Sequence, residues 1–220
     1  MPLLVALAGR GVGLAPARPA RALTYGLVTG AVFFSGTLYW TADVMVAFGG
    51  LPKAAALPVA GLLVAYLSIY TGVFAWVTAR AIAWGGTRGL WVAPVAWTAT
   101  EFLRGYLFTG FPWVALGYSQ ATVLPVAQVA SLGGVGALSL LVALVSSTLA
   151  HVLTVSWRRA WPALAIVGCL VAGVAGWGQL RMASGSLTRD GAPLDVGIVQ
   201  GNILQEQKWD VAFSGQILHR

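Results

Sequence analysis

Four long stretches of the chain contain no Asp, Glu, Lys or Arg: residues 22–42, 54–79, 105–157 and 160–180. A helix needs about 20 apolar residues to cross a bilayer core. Each stretch reaches that length, and the third exceeds the need of a single crossing. Of all 220 residues 58% are hydrophobic and 9% charged, against roughly 25% charged in soluble domains. Water cannot solvate so apolar a surface, so lipid is the expected solvent. The net charge of +7 would point to nucleic acid in a soluble protein. Here the cations sit between the apolar runs, as membrane orientation signals do, and no nucleic-acid partner is expected.

The charges limit the expected crossings. Residues 22–40 form one, the run between Lys53 and Arg80 a second, and residues 89 to about 108 a third. The 105–157 stretch divides. Residues 109–120 read as a loop rich in Gly, Pro and aromatics, 124–132 as an interfacial segment, and Gly133–Gly134 as a break before a crossing at 135–155. The last crossing is 160–180, beginning at Trp161–Pro162. Residues 1–9 look like the tail of a helix and are too short to span. The expected fold is therefore an all-α polytopic membrane domain of about five helices plus a remnant.

If Arg10, Arg18 and Arg21 are cytoplasmic, alternation puts Arg80, Arg88, Arg158 and Arg159 on the same side and Lys53 on the other. That asymmetry favours an exit from the cytoplasm after Leu180. Trp40, Trp84, Trp91, Trp157, Trp161 and Trp177 fall near span ends, where indoles prefer the lipid–water boundary. Beyond Leu180 the composition changes. Residues 181–193 read as a polar linker, 194–200 (LDVGIVQ) as a short buried strand, and Gly201–Asn202 as a turn. A lone strand is unstable, so residues 194–220 are expected to open a further domain.

Three segments carry candidate chemistry. Glu101 and Arg104 lie three apart, on one helix face, with Glu101 roughly 16 Å along the helix from Leu90. An unpaired charge at that depth costs about 2.5–3.5 kcal/mol on insertion scales. Either the pair lines a polar pocket for a lipid headgroup, with Arg104 reaching outward to a phosphate, or it is a structural ion pair. Residues 109–120 (TGFPWVALGYSQ) present Phe111, Trp113 and Tyr118 as rigid aromatic surface. They form either an opening for acyl chains or an interfacial turn. Residues 196–210 (VGIVQGNILQEQKWD) read alone as strand, turn and helix start. Cys169, the single cysteine, sits in an apolar run and reads as a packing residue. His151 and His219 read as solvated or capping. No glycine-rich phosphate loop, metal-ligand cluster or nucleophile–base–acid set is evident.

At these motifs the sequence resembles the apolipoprotein N-acyltransferases of bacterial envelopes. The resemblance rests on TEFLRGYLFTGFPWVALGYSQ (100–120), AYLSIYTGVFA (65–75) and VGIVQGNILQEQKWD (196–210). It implies a helical membrane domain (1–180), the linker (181–193) and the start of an α/β nitrilase-like domain (194–220) facing away from the cytoplasm. It also implies transfer of an acyl chain from a phospholipid, through a cysteine thioester, to the α-amine of an S-diacylglyceryl-cysteine in a lipoprotein. The glutamate, lysine and cysteine of that chemistry are expected beyond Arg220, so no catalytic residue is assigned and this chain alone is expected to be inactive. Trp209 matches a tryptophan of the family near the acyl-enzyme site. Glu101, Arg104, Trp113 and Tyr118 join it as candidate substrate-binding residues. No cofactor or metal is implied, and the expected state is a monomer in the bacterial inner membrane. A transporter or channel subunit using Glu101 and Arg104 as pathway residues, or a non-catalytic membrane scaffold, are the competing readings; no internal repeat of the transporter kind is evident.

Overall fold

The computed structural model describes residues 2–9, 17–185, 191–192, 194–198, 200, 202–203 and 208. The described elements are helical: α1 (Pro2–Ala8), α2 (Pro19–Leu38), α3 (Trp40–Ala47), α4 (Lys53–Gly85), α5 (Ala93–Tyr106), α6 (Leu124–Ala127), α7 (Ala130–Thr154) and α8 (Trp157–Ser184). Short 3₁₀ segments at Gly86–Val92, Leu107–Thr109 and Leu116–Gln120 join them. Three helical runs are long and apolar enough to cross a membrane: Lys53–Thr109, Ala130–Thr154 and Trp157–Ser184. A fourth is added if α2 and α3, bent by 47° at their junction, count as one crossing. That is fewer than the five expected. The difference lies in α5, which has 14 residues and at 1.5 Å per residue covers about 21 Å, short of a bilayer core.

The long α4 run is not straight. Gly86 adopts φ +59°, a non-helical conformation, and a Cβ on Gly89 would overlap the Ala81 carbonyl. The chain therefore folds back along its own preceding helix, bringing α5 onto α4. A second break occurs where the adjacent glycines predict one. Gly133 and Gly134 leave helical geometry at the start of α7, Gly134 with φ +63°. Arg158 and Arg159 lie in the first turn of α8 rather than between helices.

What holds the helices together suits a lipid solvent. Leu, Val, Ile and Trp side chains are turned outward along α2, α4 and α8, Trp84 most of all. The buried set is rich in small and hydroxylated residues: Ser68, Thr71, Thr78, Thr100, Ser139, Ser147 and Thr148 among Ala56, Ala75 and Ala150. Lipid tails are as apolar as leucine, so helices associate there by close van der Waals contact between small residues. The α2–α4 pair shows this most clearly. A Cβ on Gly26 would stand 2.5 Å from the Thr71 carbonyl oxygen and 2.7 Å from the Ala75 Cβ, and one on Gly30 2.9 Å from the Ser68 Cα. Ser68 and Thr148 satisfy their hydroxyls within their own helices, donating to the Val64 carbonyl at 2.6 Å and to that of Leu144 at 2.8 Å, whereas the buried hydroxyls of Thr78 and Ser147 meet no hydrogen-bond partner.

Two apolar clusters complete the packing. In one, Leu4 and Leu7 of α1 join Phe74, Ile82, Leu90 and Ala93, so α1 fills the space between α4 and α7. In the other, Phe34 and Leu38 of α2 meet Leu67 of α4, with Phe111 and Val114 packed against them. Cys169 is exposed on α8 rather than packed. His151 is buried, its ring 5.4 Å from that of Trp91, rather than solvated. The expected strand at 194–200 does not form among its described residues: 194–198 are irregular, with Leu194, Val196 and Ile198 exposed. A strand needs neighbours to satisfy its backbone, and the described residues supply none.

Replacing Gly26 with Val should force α2 away from α4 and lower stability by about 1–3 kcal/mol, the usual range for overpacking. Gly36→Ala, where an added Cβ meets nothing within 4 Å, is the matched control. Thermal unfolding in detergent should show a lower midpoint for the first variant and an unchanged or higher one for the second.

Candidate functional site

Alpha-helix and sheet are the two ways for a backbone to satisfy itself in lipid, and irregular chain is tolerated only where protein or a water-lined cavity supplies partners. Residues 107–117 are such an irregular segment. It follows α5 directly, because the helix ends at Tyr106 and Leu107 takes an extended conformation. Gly110, with φ +80°, then turns the chain so tightly that a Cβ there would overlap the Gly105 carbonyl. Phe108, Thr109 and Val114 hold positive φ values of 51°, 73° and 59°. Such values are uncommon outside glycine, and for β-branched Thr and Val they are strained.

The partners of this segment are the charged side chains singled out in the sequence. Arg104 is 3% exposed. Its guanidinium donates to the Trp113 carbonyl at 2.7 Å and to the Val114 carbonyl at 3.5 Å, and its own carbonyl accepts the Phe111 N–H at 2.7 Å. The guanidinium also lies over the Phe34 ring, 5.4 Å from its centroid. Glu101 accepts the Leu116 N–H at 2.6 Å. Each such bond to a charged group is worth about 1.5–3 kcal/mol where the alternative is an unpaired buried group. Glu101 and Arg104 thus share a helix face as expected, yet they bond loop backbone rather than each other. Arg104 turns inward and does not reach outward.

Residues that carry no charge signal complete the arrangement. Ser139 of α7 accepts the Gly117 N–H at 2.9 Å. Tyr66 of α4 donates to the Leu107 carbonyl at 3.2 Å and pairs with the Tyr70 hydroxyl at 2.6 Å. Since the Tyr66 proton is used at Leu107, Tyr70 is the donor of that pair. The Tyr66 ring also meets Phe108 edge to face. Tyr66 and Tyr70 belong to the AYLSIYTG segment, so two of the motifs noted in the sequence converge here. Nothing in the sequence distinguishes Ser139 from the other serines of α7.

On its outer side the loop forms one wall of a groove of about 670 Å³, facing Phe33 and Thr37 of α2 and lined by Pro112, Trp113, Tyr118 and Ser119. The lining is chiefly apolar carbon, and the size falls within the usual range of about 300–1,000 Å³ for small-molecule sites. Trp113 and Tyr118 are about half exposed, and the Trp113 ring lies 5.6 Å from Trp40 and 6.4 Å from Phe111. Leu116, whose N–H Glu101 holds, reaches both this groove and a second cavity of about 280 Å³ lined by α1, α2, α4, α5 and α7, beside Trp97 and Ser147. Four of the five candidate residues therefore fall in one place. The fifth, Trp209, lies outside the described residues. Among the described residues no cluster of His, Cys, Asp or Glu suits a metal ion.

A family model described as the apolipoprotein N-acyltransferase N-terminal domain matches residues 1–148. The chain belongs to the apolipoprotein N-acyltransferase family. Relatives bearing that name include a protein of Chromobacterium violaceum, 38% identical over 216 residues, which are 95% of this chain and 39% of that protein. A Geobacter metallireducens protein is 36% identical over 206 residues, 89% of this chain and 38% of its own length. One from Vibrio parahaemolyticus is 36% identical over 198 residues, with the same two shares. The chain thus spans under two-fifths of the length of these N-acyltransferase relatives. The matched residues 1–148 include Glu101, Arg104 and the whole aromatic loop.

Gly110→Ala should lower stability by at least about 1 kcal/mol, whereas Val114→Gly, which relieves a strained φ but gives up packing on Phe34 and Leu38, should change it less. Thermal unfolding of the two proteins in the same detergent checks that order.

Proposed function

We propose that this chain is the lipid-embedded part of an enzyme that moves an acyl chain from a phospholipid to the N-terminal amine of S-diacylglyceryl-cysteine in lipoproteins. In that reaction the phospholipid ester breaks, an amide forms on the lipoprotein, and a lysophospholipid leaves. The observation that carries this reading is the groove walled by Trp113 and Tyr118, lying within the part of the chain that matches the N-acyltransferase model. Both substrates are lipids, and an apolar groove open to the bilayer lets an acyl chain be held without leaving hydrocarbon. Placing donor and acceptor side by side is then mainly a matter of proximity and orientation.

The proposed organisation is a membrane domain at 1–180, a linker at 181–193 and the opening of a nitrilase-like domain at 194–220. The membrane domain would make five passes, through α2, α4, a return made by the 3₁₀ segment Gly86–Val92 and α5 together, α7 and α8, in a bacterial inner membrane. Arg80 and Arg88 flank the reversal between α4 and α5, and Arg158 with Arg159 opens α8. Basic clusters of this kind favour the cytoplasmic side, which supports placing the aromatic loop and the segment after α8 on the far side. Trp209 is proposed to lie near the acyl-enzyme site, with the catalytic glutamate, lysine and cysteine outside this chain. Cys169, facing lipid from α8, takes no part. The protein is proposed to act as a monomer.

In cells depleted of the gene product, mass spectra of lipoprotein N-terminal peptides should lack the amide-linked acyl chain, and the full-length gene should restore it. Trp113→Ala or Tyr118→Ala should slow that restoration about tenfold, the effect of losing roughly 1.4 kcal/mol of binding. Cys169→Ser should restore it fully. Unchanged N-acylation in depleted cells would sink the reading.

A further inference from the structure

We infer that Glu101 and Arg104 are positioning residues. They grip the main chain of residues 111–116 and thereby hold the loop wall of the groove in a strained conformation, and they do not handle substrate charge or protons. The inference rests on the proposed acyl-transfer role of the groove, but the grip itself is a property of the fold.

Three features carry it. The first is where the charges are used. The carboxylate takes the Leu116 N–H and the guanidinium takes the Trp113 and Val114 carbonyls. The second is burial. Arg104 is 3% exposed and faced by the Phe34 ring, so an incoming phosphate would have to displace bonds already made. The cavity between Arg104, Glu101 and Tyr70 holds only about 10 Å³, room for one water at most; the larger cavity of about 210 Å³ that both residues also line, toward Val135 and Gly136 of α7, leaves their bonds to the loop backbone in place. The third is what is gripped. Val114, with φ +59°, lies between the two points of attachment. A conformation of that kind persists only when its surroundings over-determine it. Released from Arg104, Val114 would relax to negative φ and swing Trp113 away from Phe33 and Thr37 across the groove. Arg104 bonds two consecutive carbonyls with a planar fork, a geometry a lysine ammonium cannot reproduce. Glu101 acts as an acceptor for one N–H, which a glutamine carbonyl can also do.

The test follows from that asymmetry. Full-length protein in lipid nanodiscs is examined by hydrogen–deuterium exchange and, separately, by N-acyl transfer to a diacylated lipopeptide at varied phospholipid concentration. Glu101→Ala and Arg104→Ala should speed exchange at the Phe111, Leu116 and Gly117 amides about ten- to a hundredfold, and should raise KM for the phospholipid by a similar factor while kcat changes little. Glu101→Gln should lose much less than Glu101→Ala on both measures, and Arg104→Lys should fall between wild type and Arg104→Ala. Should the alanine variants not fold, Ser139→Ala, which removes the acceptor of the Gly117 N–H, should speed loop exchange and raise KM in the same direction. If Glu101→Gln abolishes turnover as fully as Glu101→Ala while loop exchange stays at the wild-type rate, Glu101 has a chemical role and the inference is overturned. Unchanged exchange in both Glu101→Ala and Arg104→Ala overturns it as well. A wild-type protein that shows the grip by exchange yet transfers no acyl chain would remove the proposed function and leave the grip standing.

Discussion

In hydrocarbon, a peptide group without a hydrogen-bond partner has no water to turn to, and each one left open costs several kcal/mol. The segment after α5 places extended and left-handed backbone beside membrane helices, where no ladder or helix can close its N–H and C=O groups. Glu101, Arg104, Ser139 and Tyr66 close them instead. The cluster explains at once why charged residues are placed in an apolar helix and why residues 107–117 hold a defined shape. The charges meet the loop's need, and the loop's peptide groups in turn give the charges hydrogen-bond partners. Each element thus supplies the partners that the other lacks.

The remaining architecture brings together the three helices that supply those partners, α4, α5 and α7. Gly26 and Gly30 let α2 approach α4 closely, which puts Phe34 against Arg104 and aligns Tyr66 with the end of α5. The reversal at Gly86–Val92 returns the chain so that α5 lies on α4, and the break at Gly133–Gly134 sets the start of α7 so that Ser139 meets Gly117. Each of these joints is made by small residues or glycine conformations, as expected where helices attract one another by contact rather than by expulsion of water.

Much of this was legible in the residues. Uncharged runs located the long helices, paired glycines located the α7 break, and the 100–120 motif located the loop and both charges. The arrangement of the charges was not legible. Spacing of three puts Glu101 and Arg104 on one face, but whether they bond each other, a ligand or a distant backbone depends on a loop geometry that sequence periodicity does not encode. The shortness of α5 was hidden because Leu107–Thr109 is as apolar as a helix would be, and only Gly110 and the extended Leu107 end it. Ser139 looks like any serine of an apolar helix until Gly117 is placed against it. The apolar alternation of 194–198 suggested a strand, but pattern alone cannot supply the neighbouring strands that would make it one.

Because Glu101, Arg104 and Ser139 hold the loop by its peptide groups, their grip does not depend on which aromatic rings the loop displays. Trp113 and Tyr118 project half-exposed from that frame, whereas Phe111 is packed against Phe34, Leu38 and Leu67 beneath it. Such a division of labour separates the frame, set by peptide groups, from the surface that the groove presents.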